Sequence, residues 1–283
     1  MCSIKRNLLF AIIVAGSQLT ACRTVEKAVL SVGQATGNET MIKATADLTP
    51  RQEHYLGRSI MARILTQSPP VRTDEVQSYV NQLGQYLALH STRPVLFNGY
   101  RFVVVNDEAP TALSAPGGFV AMSHSMLQLL KSEDELAAVL AHEIAHIALK
   151  HAEENIKSSN RAELGRRIFQ IAADANQLAE GALVFSDAIA AGFNLKFNQD
   201  QEMEADAKAL VILRRAGYSP TALYKALNRI PSNTNFLSSH PRTTDRLASI
   251  RTRLQGDKVF FTKSAQNRFV EIRSQVSKKK PSI

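Results

Sequence analysis

The pentapeptide His142-Glu143-Ile144-Ala145-His146 constrains this chain more than any other stretch, because it sets two imidazoles and a carboxylate on one helical turn. Residues four apart on an α-helix are separated by about 40° around the axis and roughly 6 Å along it, so both imidazoles can reach one metal ion. Glu143 points to their flank, poorly placed as a ligand but able to take a proton from a water at the metal. The surroundings predict the helix. Ser132-Glu133-Asp134-Glu135 reads as a capping box, and Leu136, Val139, Leu140, Ile144, Ile147 and Ala148 carry a wide apolar face through both histidines. An H-E-x-x-H arises by chance in about one such chain in a hundred. The buried helical setting, which a metal site needs, therefore carries much of the case.

The 283 residues, 45% of them hydrophobic, suit one catalytic domain or at most two with a sizeable core. No internal repeat stands out, and no apolar run reaches the eighteen or so residues of a membrane span. The N-terminus reads as a secretory signal: Lys5 and Arg6 precede an apolar run over residues 8–16, and Ser17-Gln18-Leu19-Thr20-Ala21-Cys22 follows. Leu19-Thr20-Ala21-Cys22 resembles a bacterial lipobox, which makes Cys22 the acylated first residue of a lipid-anchored mature protein. Arg23, in place of Asp, resembles Gram-negative lipoproteins released to the outer membrane, facing the periplasm. Cys2 leaves with the signal peptide, so Cys22 is the only mature cysteine, and neither a disulfide nor a cysteine metal ligand is available. Without Lys5 and Arg6, 32 basic side chains face 25 acidic ones, a mature net charge of +7. That charge suits anionic headgroups or acidic partners, but no basic and aromatic pattern argues for nucleic acid. Nothing in the sequence fixes an oligomeric state.

The expected organisation is a signal peptide over residues 1–21, a small and polar tether over 22–47, a catalytic domain over 48–255 and a basic tail over 256–283 ending in Lys278-Lys279-Lys280. Within the domain, one helix starts at Thr49-Pro50, carries Tyr55, Ile60, Met61 and Ile64, and stops at Ser68-Pro69-Pro70. Thr73-Asp74-Glu75 starts a second, with Val76, Val80, Leu83, Tyr86 and Leu87 at helical spacing. Tyr100-Arg101-Phe102-Val103-Val104-Val105-Asn106 reads as a strand, and Pro116-Gly117-Gly118 as a turn into a second strand, Phe119-Val120-Ala121-Met122-Ser123. Zinc proteases commonly hold substrate as an extra strand on a sheet edge, so a substrate edge is expected along Gly117, Gly118, Phe119 and Val120; an ordinary supporting hairpin is the plain alternative. Residues 161–197 read as two alanine-rich helical pieces broken near Glu180-Gly181, either core or groove lining.

A zinc hydrolase site normally has three protein ligands and an open position for water. His151 is nine residues from His142, with no glycine between to break the helix, so a continuous helix would set it about 180° away and exclude it. The better candidates lie in Gln201-Glu202-Met203-Glu204-Ala205-Asp206, where Glu202 and Asp206 share a helix face and Glu204 points away. One carboxylate can complete the ligand set while the other accepts the remaining N–H of a liganding histidine, although paired acids on a helix are more often simply solvated.

His142-Glu143-Ile144-Ala145-His146 followed by Glu202-Met203-Glu204-Ala205-Asp206 resembles the M48 family of zinc metallopeptidases. Ala115-Pro116-Gly117-Gly118, Ser132-Glu133-Asp134-Glu135-Leu136-Ala137, and Ser239-His240-Pro241 with Arg246 resemble further family segments, so the similarity covers about residues 48–255. The chain departs at Thr111-Ala112-Leu113-Ser114, where the family often carries Asn-Ala-Phe-Ala. The resemblance implies an α+β, mainly helical gluzincin domain with a small sheet and one zinc ion per chain. It makes Glu202 the third ligand to His142 and His146, Asp206 the support of a liganding histidine, and Glu143 the general base. It also implies that His240 lies near the metal, capping it at rest or stabilising an oxyanion with Arg246 as a fixed positive charge. The expected substrates are unfolded or misassembled envelope proteins. The rival expectation is a non-proteolytic envelope chaperone or assembly factor with a structural or His240-capped zinc; a base beside the metal argues against it.

Overall fold

The computed structural model describes residues 48–158, 196–232, 234–241, 244–256 and 263–278, all within the unit Leu48–Ile283. The signal, the lipobox with Cys22, the tether, and residues 161–195 of the alanine-rich stretch lie outside the described residues.

Helix α1 (Pro50–Gln67) starts at a capping box in which the Thr49 hydroxyl accepts from Gln52 N and Gln52 Oε1 accepts from Thr49 N, with Pro50 inside the first turn. It ends at Ser68, before the two prolines. Helix α2 (Asp74–Ala88) buries Val76, Val80, Leu83 and Leu87 along one face. Three strands follow: β1 (Arg101–Val105), β2 (Ala112–Ala115) and β3 (Phe119–Ser123). Their order is β1-β3-β2, with β3 parallel to β1 and antiparallel to β2.

This topology corrects two expectations. Pro116-Gly117-Gly118 does turn the chain, but from β2 into β3, so the hairpin is β2-β3 and the two strands expected from sequence run parallel. The expected substrate edge does not match this sheet either. β3 is central, with both edges paired and every residue buried, so Phe119 and Val120 have no backbone edge to offer. Gly117 (φ 70°) and Gly118 (φ 98°) serve packing: a Cβ on Gly117 would lie 2.5 Å from the Cα of His54 in α1, and one on Gly118 2.8 Å from the carbonyl oxygen of Gly99. Of the two outer edges, that of β1 is taken up by the Pro70 bridge, by Val71 N and by the Gln77 and Asn81 side chains, so the open edge among the described residues is that of β2.

Alternation decides which face of the sheet meets which layer. Val105, Ala115, Phe119 and Ala121 pack with Leu56, Ile60 and Ile64 of α1 on one side. Phe102, Val104, Val120 and Met122 join the main core on the other. Beyond β3, α3 (His124–Leu129) is capped by the Ser123 hydroxyl, which accepts from Met126 N at 3.0 Å. The central helix α4 (Glu133–Leu149) is capped by Ser132, whose hydroxyl accepts from Glu135 N. The capping box is only half formed, because the Glu135 carboxylate turns to Lys131 N and, bidentate, to Arg229.

Around α4 stand α5 (His151–Ser158), α6 (Gln199–Ala216), α7 (Thr221–Arg229), α8 (Asn235–Ser239), α9 (Thr244–Arg253) and α10 (Lys263–Lys278). Helix α6 runs from an Asn198-Gln201 capping box to Gly217 at φ 78° and packs against α4. Small buried residues on both helices, Ala137, Ala138, Ala141 and Ala145 against Ala205 and Ala209, suit a close approach. The mainly helical α+β expectation holds. The expected tail does not hold throughout, since residues 263–278 form a helix that buries Phe269 and Ile272 in the main core.

Candidate metal centre

Three elements converge on one buried point. Helix α4 supplies His142 and His146, α6 supplies Glu202, and the turn after α8 supplies His240, all at most 1% exposed. One donor atom from each lies within 4.8 Å of the others. His142 Nε2 is 3.1 Å from His146 Nε2, 3.4 Å from Glu202 Oε2 and 3.4 Å from His240 Nδ1. Glu202 Oε1 is 3.3 Å from His146 Nε2 and 2.9 Å from His240 Nδ1. Ligand bonds of about 2.0–2.1 Å in a tetrahedral zinc site separate donors by roughly 3.3–3.4 Å. A nitrogen-rich donor set with one carboxylate, spaced in this way and shielded from water, therefore fits zinc.

Each donor is held from behind. Asp206, one turn beyond Glu202, brings Oδ1 to 3.1 Å from His142 Nδ1. Asp206 is gripped by Arg246 of α9, through Nε to Oδ2 at 2.7 Å and Nη2 to Oδ1 at 2.9 Å. Arg246 is fully buried; its Nη1 lies against Glu202 Oε2 and donates to the carbonyl of Pro241. Its guanidinium thus faces the two acids and the backbone behind the site. These contacts suit Arg246 to orienting Glu202 and Asp206 and to balancing their buried charge, a different part from the catalytic one expected of it. The ring of His240 stacks on Phe236 at 4.7 Å, and that of His146 on Phe197 at 3.9 Å.

Electrostatics follow from this packing. Burial resists charging of His142, but the carboxylates of Asp206 and Glu202 prevail and hold it up at about 9. Burial would raise Glu202, yet the adjacent His240, His142 and His146 hold its carboxyl well below the usual range. His146 lies well below its usual value because burial dominates there. Metal binding must then displace protons from this cluster.

Glu143 is fully buried, and neither of its oxygens accepts a hydrogen bond among the described residues; Oε1 lies 3.6 Å from His240 Nε2. A carboxylate with unsatisfied oxygens in a dry site is suited to a proton rather than to structure.

Sequence reasoning missed the end of α4. The helix does not continue to His151, because Lys150 adopts a left-handed conformation at φ 61°. Lys150 Nζ pairs with buried Glu53 Oε1 at 2.7 Å, and Arg93 joins Glu53 at 2.8 Å. The turn swings His151 back, so that its Nδ1 lies 2.9 Å from His146 Nδ1. No glycine announces that turn, and Glu53 is about a hundred residues away in sequence.

Residues 70–254 match Peptidase family M48. The chain belongs to that family. Among M48 relatives, the beta-barrel assembly-enhancing protease of Yersinia pestis is 26% identical over 238 residues, covering 79% of this chain and 48% of its own. Metalloprotease LoiP of Escherichia coli (strain K12) is 26% identical over 185 residues, 62% of this chain and 68% of its own. The mitochondrial metalloendopeptidase OMA1 of Saccharomyces cerevisiae is 31% identical over 162 residues, 52% of this chain and 45% of its own. The chain spans about half the length of the beta-barrel assembly-enhancing proteases it matches.

Proposed function

We propose that this M48 member is a zinc metalloendopeptidase of the bacterial envelope, acting on unfolded or misassembled envelope proteins. The observation that carries the reading is the pairing of a zinc-type donor cluster with a buried carboxylate, Glu143, whose oxygens are unsatisfied. His142, His146 and Glu202 would hold the metal, with Asp206 orienting His142. Zinc, when bound, would lower the pKa of a water to about 7 and polarise the scissile carbonyl. Glu143 takes the proton from the attacking water and delivers it to the leaving amine. His240, 2.9 Å from Glu202 in the same donor cluster, would cap the metal at rest or stabilise an oxyanion. Substrate backbone lies along the open edge of β2, the outer strand packed against α4.

The envelope setting draws on Lys5, Arg6, the apolar run and Leu19-Thr20-Ala21-Cys22, and on the names of the relatives. Cys22 anchors the protein by lipid to the periplasmic face of a Gram-negative outer membrane. No helix of the described residues is long and apolar enough to cross a membrane. The position of His240 in the donor cluster favours a second reading, a chaperone or assembly factor with permanently capped zinc.

Digestion of an unfolded protein, alongside metal analysis, separates them. Wild type is expected to cleave, Glu143→Gln to lose at least about a hundredfold while keeping its zinc, and Glu202→Ala to lose both. Equal cleavage by wild type and Glu143→Gln sinks the enzymatic reading. No cleavage by either, with zinc retained in both, favours the capped site.

A further inference from the structure

We propose that His151 is a positioning residue for the metal centre, accepting a hydrogen bond from His146 and passing the requirement outward to Glu204. The inference rests on His142, His146 and Glu202 holding the metal. The two liganding histidines are supported differently. His142 has the Asp206 carboxylate behind it, locked by Arg246. Behind His146, among the described residues, stands the His151 ring, with Nδ1 facing Nδ1 at 2.9 Å.

Two facing imidazole nitrogens hydrogen-bond only if one of them carries the proton. His146 Nε2 points into the donor cluster, 3.1 Å from His142 Nε2 and 3.3 Å from Glu202 Oε1, and must keep its lone pair to bind metal. The His146 proton therefore sits on Nδ1, and His151 Nδ1 is the acceptor. That fixes the His151 proton on Nε2, which lies 3.5 Å from Glu204 Oε2. Each tautomer dictates the next along His146, His151 and Glu204.

The chain ends in water. His151 is 1% exposed while the Glu204 side chain is 61% exposed, so this arm carries no buried charge of its own. Arg246 already neutralises Asp206 on the other side. A neutral ring can orient His146 without a second buried carboxylate and the counter-ion it would need. The left-handed turn at Lys150, tied to Glu53, aims His151 at this task.

The experiment is zinc affinity by competition with a chromophoric chelator, on the whole chain. Removing an outer partner of a metal ligand costs about 10–100-fold in affinity. His151→Leu is expected to lose that much. His151→Asn, whose Oδ1 occupies the place of Nδ1, is expected to recover most of it, although both variants lose the ring. Glu204→Ala is expected to lose less than His151→Leu. If His151→Leu binds as tightly as wild type, or His151→Asn as weakly as His151→Leu, the inference falls. Nitrogen-15 NMR of zinc-loaded wild type is a check that does not depend on a variant folding: Nδ1 of His146 must be protonated and Nδ1 of His151 bare, and the opposite tautomers overturn the proposal. A wild type that binds no zinc, or His146→Ala with undiminished affinity, overturns the ligand assignment itself.

Discussion

Glu153 lies in the first turn of α5, and its environment makes a measurable demand. It is 5% exposed, and burial, reinforced by the charge of Glu53, pushes its carboxyl up to about 7; Lys150 and Arg93 pull only partly the other way. A carboxyl raised in the folded state above its unfolded value near 4.5 binds protons more tightly when folded. Its favourable contribution is full below the unfolded value and is lost as pH climbs through about 7. Glu153→Gln keeps the shape and removes the titration. Urea unfolding at pH 8 is expected to find the variant more stable than wild type by on the order of 1–3 kcal/mol, with the gap closing by pH 4.5. A variant less stable than wild type at pH 8 would show that the Glu153 charge is compensated.

At the scale of elements, the edge of β2 carries the substrate argument. Ser123 N donates to Thr111 O, which makes Thr111 and Ser123 a hydrogen-bonded pair at the start of the β2-β3 ladder. In antiparallel pairs the bonded and non-bonded positions alternate, so Leu113 and Ala115 face β3 while the backbone groups of Ala112 and Ser114 face outward. Ser114→Pro removes one outward N–H without taking a bond from the sheet. Peptide cleavage is expected to fall about fivefold or more in kcat/KM, mainly through KM, with unchanged zinc content; unchanged kinetics would move substrate off this edge. The sequence made α1, α2, α4 and α6 legible through caps and apolar spacing, and β1 through its β-branched run. It hid β2, because Ala112-Leu113-Ser114-Ala115 has no β-branched residue and gains its strand from pairing with β3. It hid the parallel pairing too, since the buried run of β3 reads the same in either direction. The candidate donors His142 and His146 were legible because spacing and chemistry coincide on one helix, whereas Glu202 stood out only through the resemblance, since paired acids on a helix are more often solvated. His151 was not legible, because its role depends on a non-glycine left-handed turn stabilised from a distant helix.

For the whole molecule, the boundary of the catalytic unit lies beyond the family match. The match stops at residue 254, but α10 closes the core on the far side of α4. Phe269 is fully buried there, and Arg268 forms a bidentate pair with Glu133 at the start of α4, at 2.7 and 3.1 Å. Glu133 is itself 2% exposed and takes the hydroxyls of Tyr79 and Tyr218 as well, so α2, α4, α10 and the turn after α6 meet at one carboxylate. The polar character of 263–278 disguises this helix in the sequence: Phe269, Ile272 and Val276 line one face, and mostly polar and charged residues, with an exposed Val270, fill the rest. Truncating Phe269 leaves a cavity under α4, and large-to-small changes of this kind cost about 3–5 kcal/mol. Phe269→Ala is therefore expected to lower the thermal midpoint by roughly 6–20 °C for a domain of this size, with metal affinity affected only as far as folding is. Removing everything after residue 255 is expected to do more, because it also leaves the Glu133 carboxylate without its guanidinium. Denaturation of the two variants against wild type measures both. If the shortened chain unfolded at the wild-type midpoint, α10 would be an appendage and the catalytic unit would end where the family match does.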